Sequence, residues 1–186
     1  MTRTLRITGV RDDGYHLIDA EMVELELADE LTIRPDAEGL DASGPFADGV
    51  PLDDSNLVAK ALRLAGRRAH VHLHKVIPHG GGLGGGSADA AAVLRWAGFD
   101  DLLAASRLGA DIPFCVRGGR ARVRGIGEVL EPLRRSRSIS RSSMPPLAVS
   151  TPANVPGVGR ARWPPRPDGP NDLEPAAIAV VPELAA

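Results

Sequence analysis

The clearest chemistry in this 186-residue chain lies in Pro78-His79-Gly80-Gly81-Gly82-Leu83-Gly84-Gly85-Gly86-Ser87-Ala88-Asp89. Glycines accept positive φ and let the backbone approach a ligand closely. Successive N–H groups in such a run form a concave nest for an anion. The small residues from Ser87 to about Trp96 predict a helix. Its N-terminal end adds positive potential at the same place. Ser87 brings a hydroxyl suited to phosphate or magnesium. The competing possibility is a flexible linker, against which stand Leu83, which interrupts the run, and the helix that follows at once. Other glycine motifs do not fit. A Walker loop ends in Gly-Lys-Ser/Thr, and this run ends in Gly-Gly-Ser. Gly80, Gly82 and Gly85 satisfy G-x-G-x-x-G, as any glycine run does, but no acidic residue follows about 20 positions on at the end of a second strand. Gly85-Gly86-Ser87-Ala88-Asp89 lacks the last glycine of a hydrolase nucleophile elbow. His70, His72 and His74 share one face of a predicted strand. No carboxylate or cysteine accompanies them in sequence, which favours a solvated strand face over a metal comb.

The elements around the run follow from patterning. Val23, Leu25 and Leu27 alternate with Glu24, Glu26 and Ala28, a half-buried strand pattern that Leu31-Thr32-Ile33 continues in the same sheet. Asp12-Asp13-Gly14 marks a turn, and residues 36–53 read as a surface loop. Asp54-Ser55-Asn56 offers an N-cap to a helix ending near Arg67. Residues 69–74 read as a strand and about 100–108 as a short helix. Phe114–Val116 and Ala121–Val123 read as a strand pair turned by Gly118-Gly119.

Composition sets the outer limits. Apolar residues are 43% of the chain and aromatic residues only 3%, so the core must be built from Ala, Val, Leu and Ile. A net charge of −2 supplies no global basic field for nucleic acid or an acidic membrane. One cysteine, Cys115, excludes an intrachain disulfide framework and a cysteine-based zinc cluster. No run approaches the roughly 18 apolar residues of a membrane span, and the N-terminus lacks an apolar signal-peptide stretch. A cytoplasmic protein with no membrane and no nucleic-acid partner is expected. Residues 134–168 are rich in arginine, serine and proline and read as a segment that buries little.

The glycine segment, with Ala90 and Ala91 after it, resembles the phosphate loop of the GHMP kinases, the superfamily of galactokinase, homoserine kinase and mevalonate kinase. Further motifs follow in order: Gly14-Tyr15-His16-Leu17, Asp54-Ser55-Asn56-Leu57-Val58, Leu108-Gly109-Ala110-Asp111-Ile112-Pro113-Phe114, Gly125-Ile126-Gly127-Glu128 and Asn171-Asp172-Leu173-Glu174. Together they are similar to the branch that phosphorylates 4-diphosphocytidyl-2-C-methyl-D-erythritol in non-mevalonate isoprenoid synthesis. The alternatives are a chain that at most binds nucleotide, or a GHMP kinase for another small molecule.

The resemblance implies an α+β fold: a GHMP-kinase N-terminal domain over residues 1–133, a linker over 134–145, and a truncated ferredoxin-like C-terminal domain over 146–186. It implies ATP and Mg²⁺ as cofactors. It places Asp111 as the catalytic aspartate, and Gly80, Gly81, Gly82, Leu83, Gly84, Gly85, Gly86 and Ser87 around the phosphates. Asn56 and Lys75 fall at the adenosine, and Tyr15, His16 and Thr151 at the substrate. Three features depart from the family pattern. The opening Pro-Ala-Lys-Ile-Asn-Leu strand is missing, which leaves a sheet edge open. Asn154-Val155 stand where an aromatic is expected after Thr151-Pro152. The C-terminal glycine loop is absent before Ala186. The 134–145 and 154–168 stretches interrupt the likeness as a shifted reading frame would.

Overall fold

The computed structural model describes residues 1–78, 81–134 and 171–173. Gly80, Thr151, the expected linker beyond Arg134 and the second-domain segment apart from Asn171–Leu173 lie outside them. Two sheets and four helices make up the described part. In the first sheet β1 (Thr2–Val10) turns into β2 (His16–Val23) through Gly14 at φ 85°. Then β6 (Arg120–Gly125) pairs with β2, and β7 (Val129–Pro132) with β6, all antiparallel. In the second sheet β5 (His70–His74) lies between β3 (Glu30–Arg34), antiparallel to it, and β4 (Gly39–Ser43), parallel to it. The helices are α1 (Leu57–Leu64), α2 (Gly85–Trp96), α3 (Leu102–Leu108) and α4 (Ile112–Arg117).

The core follows from the scarcity of aromatics. One cluster joins Val58 and Ala61 of α1, Val71 and Leu73 of β5, Ala90, Ala91, Val93 and Leu94 of α2, and Ile112 of α4. Alanines on α2 let the neighbouring helices come close. A second cluster joins Leu5, Ala20, Met22, Ala121 and Val123 of the first sheet to Phe114 of α4. Through Phe114 and Ile112, α4 therefore faces both clusters.

Four sequence expectations are corrected. The alternation beginning at Val23 does not continue as a strand: β2 ends there, and Leu27 is 44% exposed. Glu24 N donates to Gly119 O at 2.7 Å, and Asp29 is held by the backbone that follows β5, so the chain crosses between sheets and Leu31–Ile33 joins β5 instead. The 36–53 loop contains β4, which satisfies the second edge of β5. Phe114–Val116 is helical: Pro113 opens α4, Gly118 at φ 70° ends it, and Ile112, Cys115 and Val116 stand at i, i+3 and i+4 toward the core.

The fourth correction concerns the free edge of β1, which is covered at Leu5–Ile7. Asp172 N donates to Leu5 O at 2.9 Å, and the Asp172 carboxylate accepts Arg6 Nη1 at 2.8 Å and Ile7 N at 2.9 Å. Leu173 packs on the second core cluster. Asp172 is thus a buried carboxylate substituting for a strand partner. Asp172→Ala is expected to lower stability by about 2 kcal/mol, as loss of hydrogen bonds to a charged group does. A urea titration checks this through a lower midpoint at unchanged slope.

Candidate active site

The glycine run delivers the chain into α2 with its donors exposed. Gly82 and Gly84 take φ 71° and 73°, and Gly84 is the N-cap. No side chain caps α2 and no acid stands in its first turn. The first N–H groups of α2 therefore have no side-chain cap of their own and are left for another acceptor. A cleft of about 190 Å³ opens beside it, lined among others by Leu25, Leu27, Leu83, Gly84 and Asp89.

Asp111 is brought to this point by close backbone contact. It holds the N-cap position of α4, yet its side chain makes no capping hydrogen bond. Its Oδ2 lies 3.7 Å from where a β-carbon on Gly84 would be, so the carboxylate faces the start of α2. Burial pushes its pKa above the ordinary carboxylate value. Ser87 Oγ lies 3.8 Å from the β-carbon position of Gly109, two residues before Asp111. From the other side, the turn between β6 and β7 presses on Ala110. Gly127 has φ 116°, and a β-carbon there would overlap the Ala110 carbonyl oxygen and lie 2.9 Å from the Ala110 Cα and carbonyl carbon. Glu128 closes that turn by accepting Ile126 N at 2.6 Å. The motifs around residues 84, 109 and 127 are therefore one packed unit that aims Asp111.

The β1–β2 hairpin reaches the same end of the first sheet, because Ile18 pairs with Gly125. Two residues before Ile18, His16 has a buried Nε2 with no hydrogen-bond partner among the described residues. A buried polar nitrogen left unpaired is costly unless a ligand completes it. Tyr15 is 41% exposed, which leaves its ring free to stack. Asn56 is committed to local structure: Oδ1 accepts Val58 N at 2.8 Å as the N-cap of α1, and Nδ2 donates to Pro51 O at 2.6 Å. It stays beside the loop, since its neighbour Leu57 lies 3.7 Å from the β-carbon position of Gly86. The histidines of β5 share their face with Asp41 and Ser43. His72 Nδ1 is 3.0 Å from Asp41 Oδ2, and His72 Nε2 is 2.9 Å from Ser43 Oγ.

Lys75 is placed beneath the loop and not on its surface. Its Nζ donates to Asp89 Oδ2 at 2.6 Å and to Asp29 Oδ2, and the three side chains are 5% exposed or less. Sequence reasoning missed both carboxylates. Asp29 stands far away in the chain, and Asp89 reads as an ordinary helix residue. Burial drives the Asp89 carboxyl up to about 6, against the pull of Lys75. Asp29 is held below its ordinary value. Burial raises it, but the N–H groups of Ile77 and Val76 and the Lys75 ammonium outweigh that. Burial likewise pushes the Cys115 thiol up to about 12, which disfavours the thiolate.

The chain is similar to known proteins over nearly all of its length. Residues 56–119 match the GHMP kinases N terminal domain. The 4-diphosphocytidyl-2-C-methyl-D-erythritol kinase of Paracoccus denitrificans is 42% identical over 204 residues, covering 98% of this chain and 73% of that protein. This chain belongs to the 4-diphosphocytidyl-2-C-methyl-D-erythritol kinase family. A Cereibacter sphaeroides member is 38% identical over 98% of this chain and 75% of its own. A crystal structure of 4-(cytidine 5'-diphospho)-2C-methyl-D-erythritol kinase matches with TM-score 0.58 at 31% identity, covering 99% of this chain and 76% of that one. The expected α+β GHMP-kinase fold is therefore that of this chain. Among the described residues of this family member, no helix is long and apolar enough to cross a membrane.

Two predictions follow from the packing in this member of the kinase family. Gly127→Ala forces a side chain into the Ala110 backbone at positive φ, and is expected to cost about 3 kcal/mol or more, read by urea unfolding. The raised pKa of Asp89 has a definite sign. Its contribution favours the folded state below its ordinary value of 3.8 and is lost as pH rises through about 6. Relative to Asp89→Asn, the wild-type melting temperature is expected to fall between about pH 4 and pH 6.5. Parallel curves over that range contradict the assignment.

Proposed function

We propose that this chain transfers the γ-phosphoryl group of ATP to the methylerythritol hydroxyl of 4-diphosphocytidyl-2-C-methyl-D-erythritol, a step of isoprenoid synthesis. The observation that carries the reading is the half-buried Asp111 carboxylate facing Gly84 at the uncapped start of α2. An acceptor for a hydroxyl proton and a nest for polyphosphate thus meet at one point. Phosphoryl transfer needs little else beyond positioning and charge neutralisation.

In this reading the N–H groups of residues 81–87 hold the phosphates, helped by the α2 end and the Ser87 hydroxyl. The substrate hydroxyl donates its proton to Asp111 as its oxygen bonds the γ-phosphorus. The bond from that phosphorus to the β–γ bridging oxygen breaks, and ADP leaves with the bridging oxygen. Burial of Asp111 raises its basicity and so favours proton acceptance. Tyr15 stacks on the cytosine and His16 Nε2 meets a polar edge of it, which completes its unpaired nitrogen. Asn56 borders the nucleotide by fixing the start of α1 beside Gly86. Mg²⁺, when bound, neutralises the phosphate charge. Ser87 would offer the ion a hydroxyl oxygen beside the phosphates.

ADP release from Mg-ATP and the cytidylylated methylerythritol tests the reading. Asp111→Asn is expected to lower kcat by about 10²–10⁴ while the protein stays folded. Wild-type kcat in that variant removes Asp111 from the chemistry.

A further inference from the structure

Lys75 is one of only two lysines in a chain whose other basic residues are arginines, and it is 3% exposed. A compact ammonium fits between two buried carboxylates where a guanidinium fork does not. The cluster it centres touches both stems of the glycine run. On the entering side, Asp29 Oδ1 accepts Val76 N at 2.6 Å and Ile77 N at 2.8 Å, so it grips the backbone that follows β5. On the leaving side, Lys75 Nζ holds Asp89, on the second turn of α2. The two stems also meet directly. A β-carbon on Gly85 would lie 3.0 Å from Ile77 Cγ2 and 3.4 Å from Asp29 Oδ2, so the first turn of α2 rests on the entering strand.

Two carboxylates on one ammonium are a poor source of stability, because desolvation offsets the attraction. What the arrangement supplies is geometry. The glycines between the stems carry almost no side chain with which to hold a curve of their own.

We propose that Asp29, Lys75 and Asp89 form a positioning clamp that ties the strand entering the glycine loop to the helix leaving it. The clamp thereby fixes the curvature the loop presents to the nucleotide phosphates. This rests on the reading of that loop as the phosphate site. None of the three side chains touches substrate in this account; they act through the backbone of residues 81–87.

The test is Asp89→Ala. It cuts the tie to α2, leaves Lys75 and Asp29 as a balanced pair, and puts a good helix former on α2. Backbone hydrogen exchange is measured in the free protein, and the KM for ATP and kcat in the assay above. Amides 81–88 are expected to exchange about tenfold faster or more, while those of β1, β2 and β6 keep wild-type protection. The KM for ATP is expected to rise about tenfold with kcat at saturating ATP nearly unchanged. Wild-type exchange at 81–88 overturns the clamp whatever the kinetics. If Asp89→Ala does not fold, Asp29→Asn gives the same reading in milder form, since it keeps an acceptor for both N–H groups while weakening the hold on Lys75. Exchange is read without substrate. A wild-type protein without kinase activity therefore counts against the proposed function and leaves the clamp to be decided by exchange.

Discussion

A phosphate loop of glycines puts all of its binding groups on the backbone and surrenders the side chains that fix a loop's shape. That constraint organises the rest of this structure. Ordering flexible backbone is expensive in conformational entropy, so the shape must be imposed from outside the run. It is imposed by the rigid elements on either side. β5 enters from the centre of the second sheet, and α2 leaves into the main core through Ala90, Ala91, Val93 and Leu94. Asp29, Lys75 and Asp89 bridge the two beneath the loop.

The same economy of side chains brings the reactive groups together. Asp111 faces Gly84, Gly109 lies against Ser87, and Gly127 lies against the Ala110 backbone. At Gly127 a β-carbon would collide with the Ala110 backbone, whereas at Gly84 and Gly109 it would meet Asp111 and Ser87 only in ordinary contact. α4 then anchors Asp111 from behind, with Ile112 in one core cluster and Phe114 in the other. The first sheet carries the β1–β2 hairpin to the same end as the β6–β7 turn through the Ile18–Gly125 pair. A site assembled this way depends on backbone proximity more than on any one hydrogen bond.

Much of this was legible in the sequence because the informative residues are local. Asn56 announces the start of α1, Gly14 the hairpin, and the end of the glycine run the start of α2. What sequence could not supply is long-range. The alternation from Val23 to Leu27 obeys strand periodicity, yet Glu24 and Asp29 are drawn to Gly119 and to the backbone of residues 76–77 and break it. The span 112–117 is too short for period alone to separate helix from strand. Pro113 and Gly118 were the signals that decide it. Lys75 illustrates the limit at the site. Its position beside the loop was readable, but its direction depends on two aspartates, one of them 46 residues away. Nor does the pattern of β1 reveal that Asp172 covers its edge.

The central claim is that the backbone of residues 81–87 and Asp111 form one phosphoryl-transfer centre. Amide ¹H–¹⁵N spectra titrated with Mg-ATP test it most directly. The account predicts the largest shifts at residues 81–88 and at Asp111, with β7 and α3 nearly unmoved. Saturable shifts confined to other elements, or none at all in a folded sample, would contradict it.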